Sequence, residues 1–259
     1  MSETIQISER PKCSDVIYTE GLNYLKTITD FLQPESQQFH SVIVLPIIIS
    51  VCINIYLSID VMCEMQGCRD YFELLYRLKW GALDVDQMPQ EWWRLFTYSL
   101  HHASFAHLLS NVISAGLIGV YIEQKYGPAR MLVILIGTTI GGGILAWSIK
   151  QNIIGLSGFV YALSGVYFSD LIINPETIRS KLWPVMISLA FFVTIIIQAI
   201  QPNGVSVMCH LGGAISGILL SFLVLPNYLY QRWEWLIPTI GLVLGVPYFV
   251  ILPVILAYV

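Results

Sequence analysis

An all-α bundle of membrane-crossing helices is the fold this sequence predicts, and three observations predict it. Of the 259 residues, 56% are hydrophobic and only 12% charged, about half the charge of a typical soluble domain. The apolar residues gather into seven runs of the length, roughly 20 helical residues, that a hydrocarbon core requires. The charges are segregated, with thirteen of the 17 acidic and seven of the 13 basic residues lying before residue 95.

In chain order, residues 1–40 read as a polar tail, with helical periodicity over 22–32. Apolar runs at 41–59, 104–122, 131–149, 153–173, 182–200, 205–225 and 236–258 read as transmembrane helices. The linkers are short except the first, 60–103. There, the stretch Tyr71 to Trp80 mixes apolar and charged residues at helical spacing, and Trp80, Trp92 and Trp93 suit a membrane interface. The loop is expected to lie along the outer leaflet. The domain reading is a cytoplasmic tail (1–40), a six-helix core (41–225, including the loop 60–103) and an extra carboxy-terminal helix (226–259).

Targeting and orientation follow from the same composition. The first 40 residues hold no apolar run of signal-peptide length, and Glu3, Glu9, Asp15 and Glu20 conflict with a mitochondrial presequence. The first helix is therefore expected to direct insertion. With the amino terminus cytoplasmic, eight basic residues fall on that side (Arg10, Lys12, Lys26, Lys125, Arg130, Arg179, Lys181 and Arg232). Five fall opposite, four of them in the long loop, where the positive-inside bias weakens.

Several function classes are disfavoured. A formal net charge of -4 without a basic stripe argues against nucleic acid as a partner. Cys13, Cys52, Cys63, Cys68 and Cys209 fit no metal pattern; Cys63 and Cys68 share one loop and read either as a disulfide or as two free thiols. His101, His102 and His107 lack a carboxylate or cysteine to complete a site, so no metal and no cofactor is expected. No internal repeat suggests a transporter. Neither His-Glu-x-x-His nor a pair of membrane aspartates suggests another kind of intramembrane protease.

The chemistry lies in polar residues placed at membrane depth, where they are costly and by default functional. Segments two, four and six run in the same direction. His107 and Asn111, Ser157, and His210 fall near their starting ends, at a common depth of roughly 5–12 Å. His107 and Asn111 project from one side of their helix, being i and i+4. Gly158, Ala162 and Gly165 form a small-residue seam on segment four. Gly213 and Gly217, on the face of His210, have the spacing that lets membrane helices meet backbone to backbone. Taken singly, each feature reads as helix packing; their coincidence at one level reads as a serine nucleophile with an imidazole base.

The motifs Gly155-Leu156-Ser157-Gly158 with Tyr161, His210-Leu211-Gly212-Gly213 with Gly217, and His107-x-x-x-Asn111 together resemble the rhomboid intramembrane serine proteases. Trp93-Arg94 and Glu123-x-x-x-Gly127-x-x-Arg130 add to the resemblance, which covers about residues 90–220. Six core helices plus one carboxy-terminal helix resemble the secretory-pathway branch, which implies residence in the Golgi, plasma membrane or endosome. The resemblance implies that Ser157 attacks a peptide carbonyl while His210 takes its proton. The acid on segment four, Asp170, lies about 20 Å further along the helix, so the reading is a dyad in which Tyr161 stacks on His210 and orients it. His107 and Asn111 would donate to the oxyanion, and Gly155 and Gly158 would permit an unusual backbone and close substrate approach. The implied substrates are single-pass transmembrane proteins with helix-destabilising segments, growth-factor precursors among them, cleaved near the exoplasmic side to release ectodomains. The alternative is a catalytically silent relative that binds and escorts membrane helices.

Overall fold

In lipid, a chain can satisfy its backbone only from within, so every long apolar run must close its own helical hydrogen bonds. The computed structural model describes residues 42–64, 77–178, 181–200, 206–226 and 235–258, the side chains of 58–64 excepted. The 1–40 tail, most of the Tyr71 to Trp80 stretch and the Cys63–Cys68 pairing lie outside the described residues.

Each predicted span is a helix: α1 (Val44–Glu64), α2 (Phe105–Tyr126), α3 (Pro128–Ser148), α4 (Ser157–Ile173), α5 (Leu182–Ile200), α6 (Val207–Val224) and α7 (Leu236–Tyr258). Among the described residues, α2, α3, α5, α6 and α7 are long and apolar enough to cross a membrane, and α4 and the Val44–Leu57 part of α1 are shorter apolar helices. α2 is widened by a π-helical turn at Ala115–Gly119, and α7 by another at Pro247–Ile251. The chain is an all-α polytopic membrane protein.

The turn between α2 and α3 shows how the sequence fixes the bundle. Gly127 takes a positive φ of 85° and donates its N–H to Glu123 O at 2.8 Å, while Pro128 starts α3 at the position where a missing N–H costs nothing. Glu123 Oε1 accepts the Val42 N–H at 2.7 Å, before the start of α1. Arg130 Nε donates to Val224 O at 2.9 Å, capping the end of α6. Nearby, Asp170 of α4 binds Lys125 Nζ at 2.6 Å and the Tyr126 hydroxyl. Asn174 donates to Pro226 O at 2.9 Å. The end of α4 is thus tied to the ends of α2 and α6.

At the opposite end, the described part of the first loop, 77–104, is a packed cap. Ala82, Leu83 and Tyr98 are fully buried, and Leu83 pairs with Ile153 in an isolated antiparallel bridge. Two buried guanidinium groups hold the cap: Arg94 donates to the carbonyls of Ala82 (2.6 Å) and Leu78 and pairs with Glu91, and Arg77 reaches Asn54 Oδ1 at 3.0 Å. Trp80, Trp92 and Trp93 stay exposed.

The core centres on α4, which packs along α6 and also meets α3 and α5. α5 is the barest helix, with only Pro184 buried among its side chains. α7 joins the bundle through Tyr248, whose hydroxyl donates to Gly141 O of α3 at 2.7 Å.

Candidate active site

The segment leading into α4 is pinned on both sides before the helix begins. Ile153 pairs with Leu83, the Gly155 N–H donates to Tyr98 O at 3.0 Å, and the Leu156 N–H donates to His102 Nε2 at 3.3 Å. Gly155 has a φ of +115°, and a Cβ there would stand 2.7 Å from the His107 ring, so only glycine fits without strain. This turn is why α4 starts at Ser157 rather than at 153, where the apolar run begins. Ser157 therefore occupies the first helical position, and the N-cap residue, Leu156, has no side-chain acceptor to offer the N–H groups of that first turn.

His210 is in the first turn of α6, which Ser206 caps by accepting from Cys209 N at 3.3 Å. Its Nε2 lies 2.8 Å from Ser157 Oγ. The approach is possible because α4 and α6 touch through backbone. A Cβ on Gly213 would fall 2.0 Å from Gly158 O, and one on Gly217 would fall 2.4 Å from Ala162 O. Tyr161 stacks on the His210 ring with 4.1 Å between centroids and 15° between planes. The other imidazole nitrogen, Nδ1, lies 2.7 Å from Gln198 Oε1 of α5.

His107 and Asn111 occupy the first two turns of α2, which Ser104 caps by accepting from His107 N at 3.1 Å. The His107 ring lies against Gly155 and packs edge-on to His102 with 5.0 Å between centroids. Asn111 is 5% exposed, and its Nδ2 has no hydrogen-bond partner among the described residues. A buried amide N–H without a partner is uncommon and marks a donor with unused capacity.

In the loop before α2, His101 and His102 are buried and neutral. Burial, followed by the Arg77 charge, lowers His101 to about 4. Burial, followed by the neighbouring His107 and Arg77, lowers His102 to about 3. Neutrality suits His102, whose Nε2 accepts from Leu156 while its Nδ1 faces Ser50 Oγ at 3.3 Å.

The structure thus brings Ser157, His210, Tyr161, His107, Gly155 and Gly158 into one neighbourhood, with Asn111 one turn along α2 from His107. Gly213 and Gly217 form the α4–α6 contact below it. Sequence reasoning missed Gln198, His102 and Tyr98. A signal existed for Gln198: it is a strongly polar residue in a span whose other polar side chains are Ser188 and Thr194. Nothing in the sequence marks Tyr98, which contributes a backbone carbonyl.

Comparison with known proteins gives the same region a relationship. A family profile, the Rhomboid domain, matches residues 89–227. RHOMBOID-like protein 1 of Arabidopsis thaliana is 35% identical over 159 residues, 59% of this chain and 40% of that protein. YdcA of Bacillus subtilis (strain 168), whose name marks it provisionally as a rhomboid protease, is 36% identical over 136 residues, 51% of this chain and 67% of that protein. Rhomboid-related protein 1 of Caenorhabditis elegans is 29% identical over 168 residues, 61% of this chain and 47% of that protein. For the plant and nematode relatives the matched region is about half of their length or less.

Proposed function

Because this chain belongs to the rhomboid family, we propose that it is an intramembrane serine endopeptidase. The observation that carries the proposal is the 2.8 Å contact between Ser157 Oγ and His210 Nε2 inside an apolar bundle. In the proposed reaction Nε2 takes the hydroxyl proton as Oγ bonds to the peptide carbonyl carbon. The tetrahedral adduct then expels the amine, which leaves with that proton, and water resolves the acyl-enzyme by the same steps. The negative oxygen is received by the unpartnered Asn111 amide, by His107 and by the Ser157 backbone N–H that opens α4, where the helix dipole also favours negative charge.

The substrates are single-pass transmembrane proteins, growth-factor precursors among them. They are cut where glycine or β-branched residues let the helix unwind at the Ser157 end of the bundle. The amino terminus is cytoplasmic, the cut faces the exoplasmic side, and the protein works in the secretory pathway. The domain plan that goes with this is a tail of 1–40, a core of 41–225 and an added helix in 226–259.

The test uses proteoliposomes holding the full chain, a fluorophosphonate probe and a reporter with one transmembrane helix. Ser157→Ala and His210→Ala are expected to abolish both labelling and cleavage while the protein remains folded. Undiminished cleavage by either variant removes the assignment. Wild-type protein that binds the reporter helix without cutting it or taking up the probe points to the escort role.

A further inference from the structure

The α5 helix is almost uncovered, yet the polar side chains near its Ile200 end all turn to one chain of hydrogen bonds that ends on His210. Thr194 Oγ1 donates to the Phe191 carbonyl at 2.7 Å. That carbonyl can only accept, so the Thr194 hydrogen is spent on it, and Thr194 Oγ1 accepts from the Tyr161 hydroxyl at 2.9 Å. The Tyr161 oxygen is then an acceptor for Gln198 Nε2, 3.1 Å away. With its nitrogen facing Tyr161, the Gln198 amide presents Oε1 to His210 Nδ1 at 2.7 Å. An amide oxygen cannot donate, so Nδ1 must carry the imidazole hydrogen. Nε2, facing Ser157, is left with its lone pair free.

We propose that Gln198 is a positioning residue for His210. Through a chain whose direction is set by the Phe191 carbonyl, it fixes the imidazole tautomer that leaves Nε2 free to take the Ser157 proton. The proposal rests on the protease reading for its consequence but not for its geometry. Tyr161 covers the face of the ring, and Gln198 holds its edge. A neutral amide does here what the buried carboxylate does in a Ser-His-Asp triad. At membrane depth an uncompensated carboxylate is costly before the base is protonated, whereas the amide dipole supports the imidazolium only when it forms. The chain also gives a reason for Thr194 and Gln198 of α5, which otherwise sit in a helix with little burial.

The experiment is nitrogen NMR of the full chain, labelled with ¹⁵N-histidine, in lipid discs, with His210 assigned by the signals that vanish in His210→Gln. Fluorophosphonate labelling rates are measured in parallel. In the wild type, His210 is expected to show a protonated Nδ1 and an unprotonated Nε2. Gln198→Leu is expected to lose that pattern and to slow labelling about tenfold to a hundredfold. Gln198→Glu keeps an acceptor at the ring edge and is expected to restore the pattern and most of the rate. Thr194→Val deprives the Tyr161 hydroxyl of its acceptor, so the hydroxyl donates to Gln198 Oε1, 3.4 Å away, and competes with His210 Nδ1 for that oxygen. This variant, which alters no atom in contact with His210, is expected to move the same nitrogen signals. A wild-type ring protonated on Nε2 overturns the proposal. So does a Gln198→Leu protein with unchanged nitrogen signals and labelling rate alongside an inert Ser157→Ala. The nitrogen spectrum decides even for a preparation that reacts with no probe, in which case the protease reading falls and the assignment of Gln198 to the ring stands or falls by itself.

Discussion

A single methyl group at Gly213 should separate the two halves of the candidate site. The position it would occupy is 2.0 Å from Gly158 O and 2.8 Å from Gly158 C, both backbone atoms that no rotamer change can move. Relief to an ordinary contact of 3.4 Å requires α4 and α6 to part by about 1.4 Å. Gly213 is one turn from His210, and Gly158 adjoins Ser157, so most of that movement falls on the 2.8 Å Ser157–His210 contact and stretches it to about 4 Å. A misplacement of roughly 1 Å costs about 10²-fold in rate, and the forced repacking costs about 1–3 kcal/mol of stability. Gly213→Ala is therefore expected to label with fluorophosphonate about a hundred times more slowly while remaining folded in detergent. Gly116→Ala is the control, since a Cβ there meets nothing within 4 Å. Gly213→Ala with a rate within threefold of wild type, or an equal loss in Gly116→Ala, would refute the reasoning.

Three further outcomes are expected. Asn111→Ala removes a buried, unpartnered donor and should lower turnover of the reporter about 10²–10³-fold with little change in KM; unchanged turnover would leave Asn111 a packing residue. His101 and His102, held at about 4 and about 3 in the folded protein against about 6.5 unfolded, bind more protons once unfolded. Their contribution to stability is complete above about pH 6.5 and is lost as the pH falls through the window down to about 3; thermal unfolding in detergent should show this, and His102→Gln should flatten the slope. Arg94→Ala strands the carbonyls of Leu78 and Ala82 under the loop cap and should cost about 1–3 kcal/mol in the same assay, with Arg94→Lys intermediate.

The helices were legible because lipid leaves the backbone one option, so apolar run length maps onto helix length. Ends were less legible: the run beginning at 153 opens on a loop that lasts until Ser157, because a glycine with positive φ and the hydrogen-bonded backbones of Ile153, Gly155 and Leu156 interrupt it without any change in hydropathy. Ser157, His210, His107 and Asn111 could be grouped from spacing alone, since depth along parallel helices is arithmetic, whereas Tyr161 was joined to His210 only through the family resemblance. Gln198 could not be placed with them. Its helix runs the opposite way, and which side chain of α5 meets His210 depends on how the helices rotate and tilt, which sequence spacing does not encode. His102 was read only as a metal candidate. Its work is to hold a backbone N–H 54 positions away, a relation that exists only in three dimensions.

Asp170, Lys125, Tyr126, Asn174 and Arg130 knot α2, α3, α4 and α6 together at the end of α4 remote from Ser157. Loss of one member there uncouples several helix ends at once, while the Ser157–His210 contact at the other end of α4 keeps its own loop cap. Damage to that rivet should therefore be felt as unfolding before it is felt as altered chemistry at Ser157.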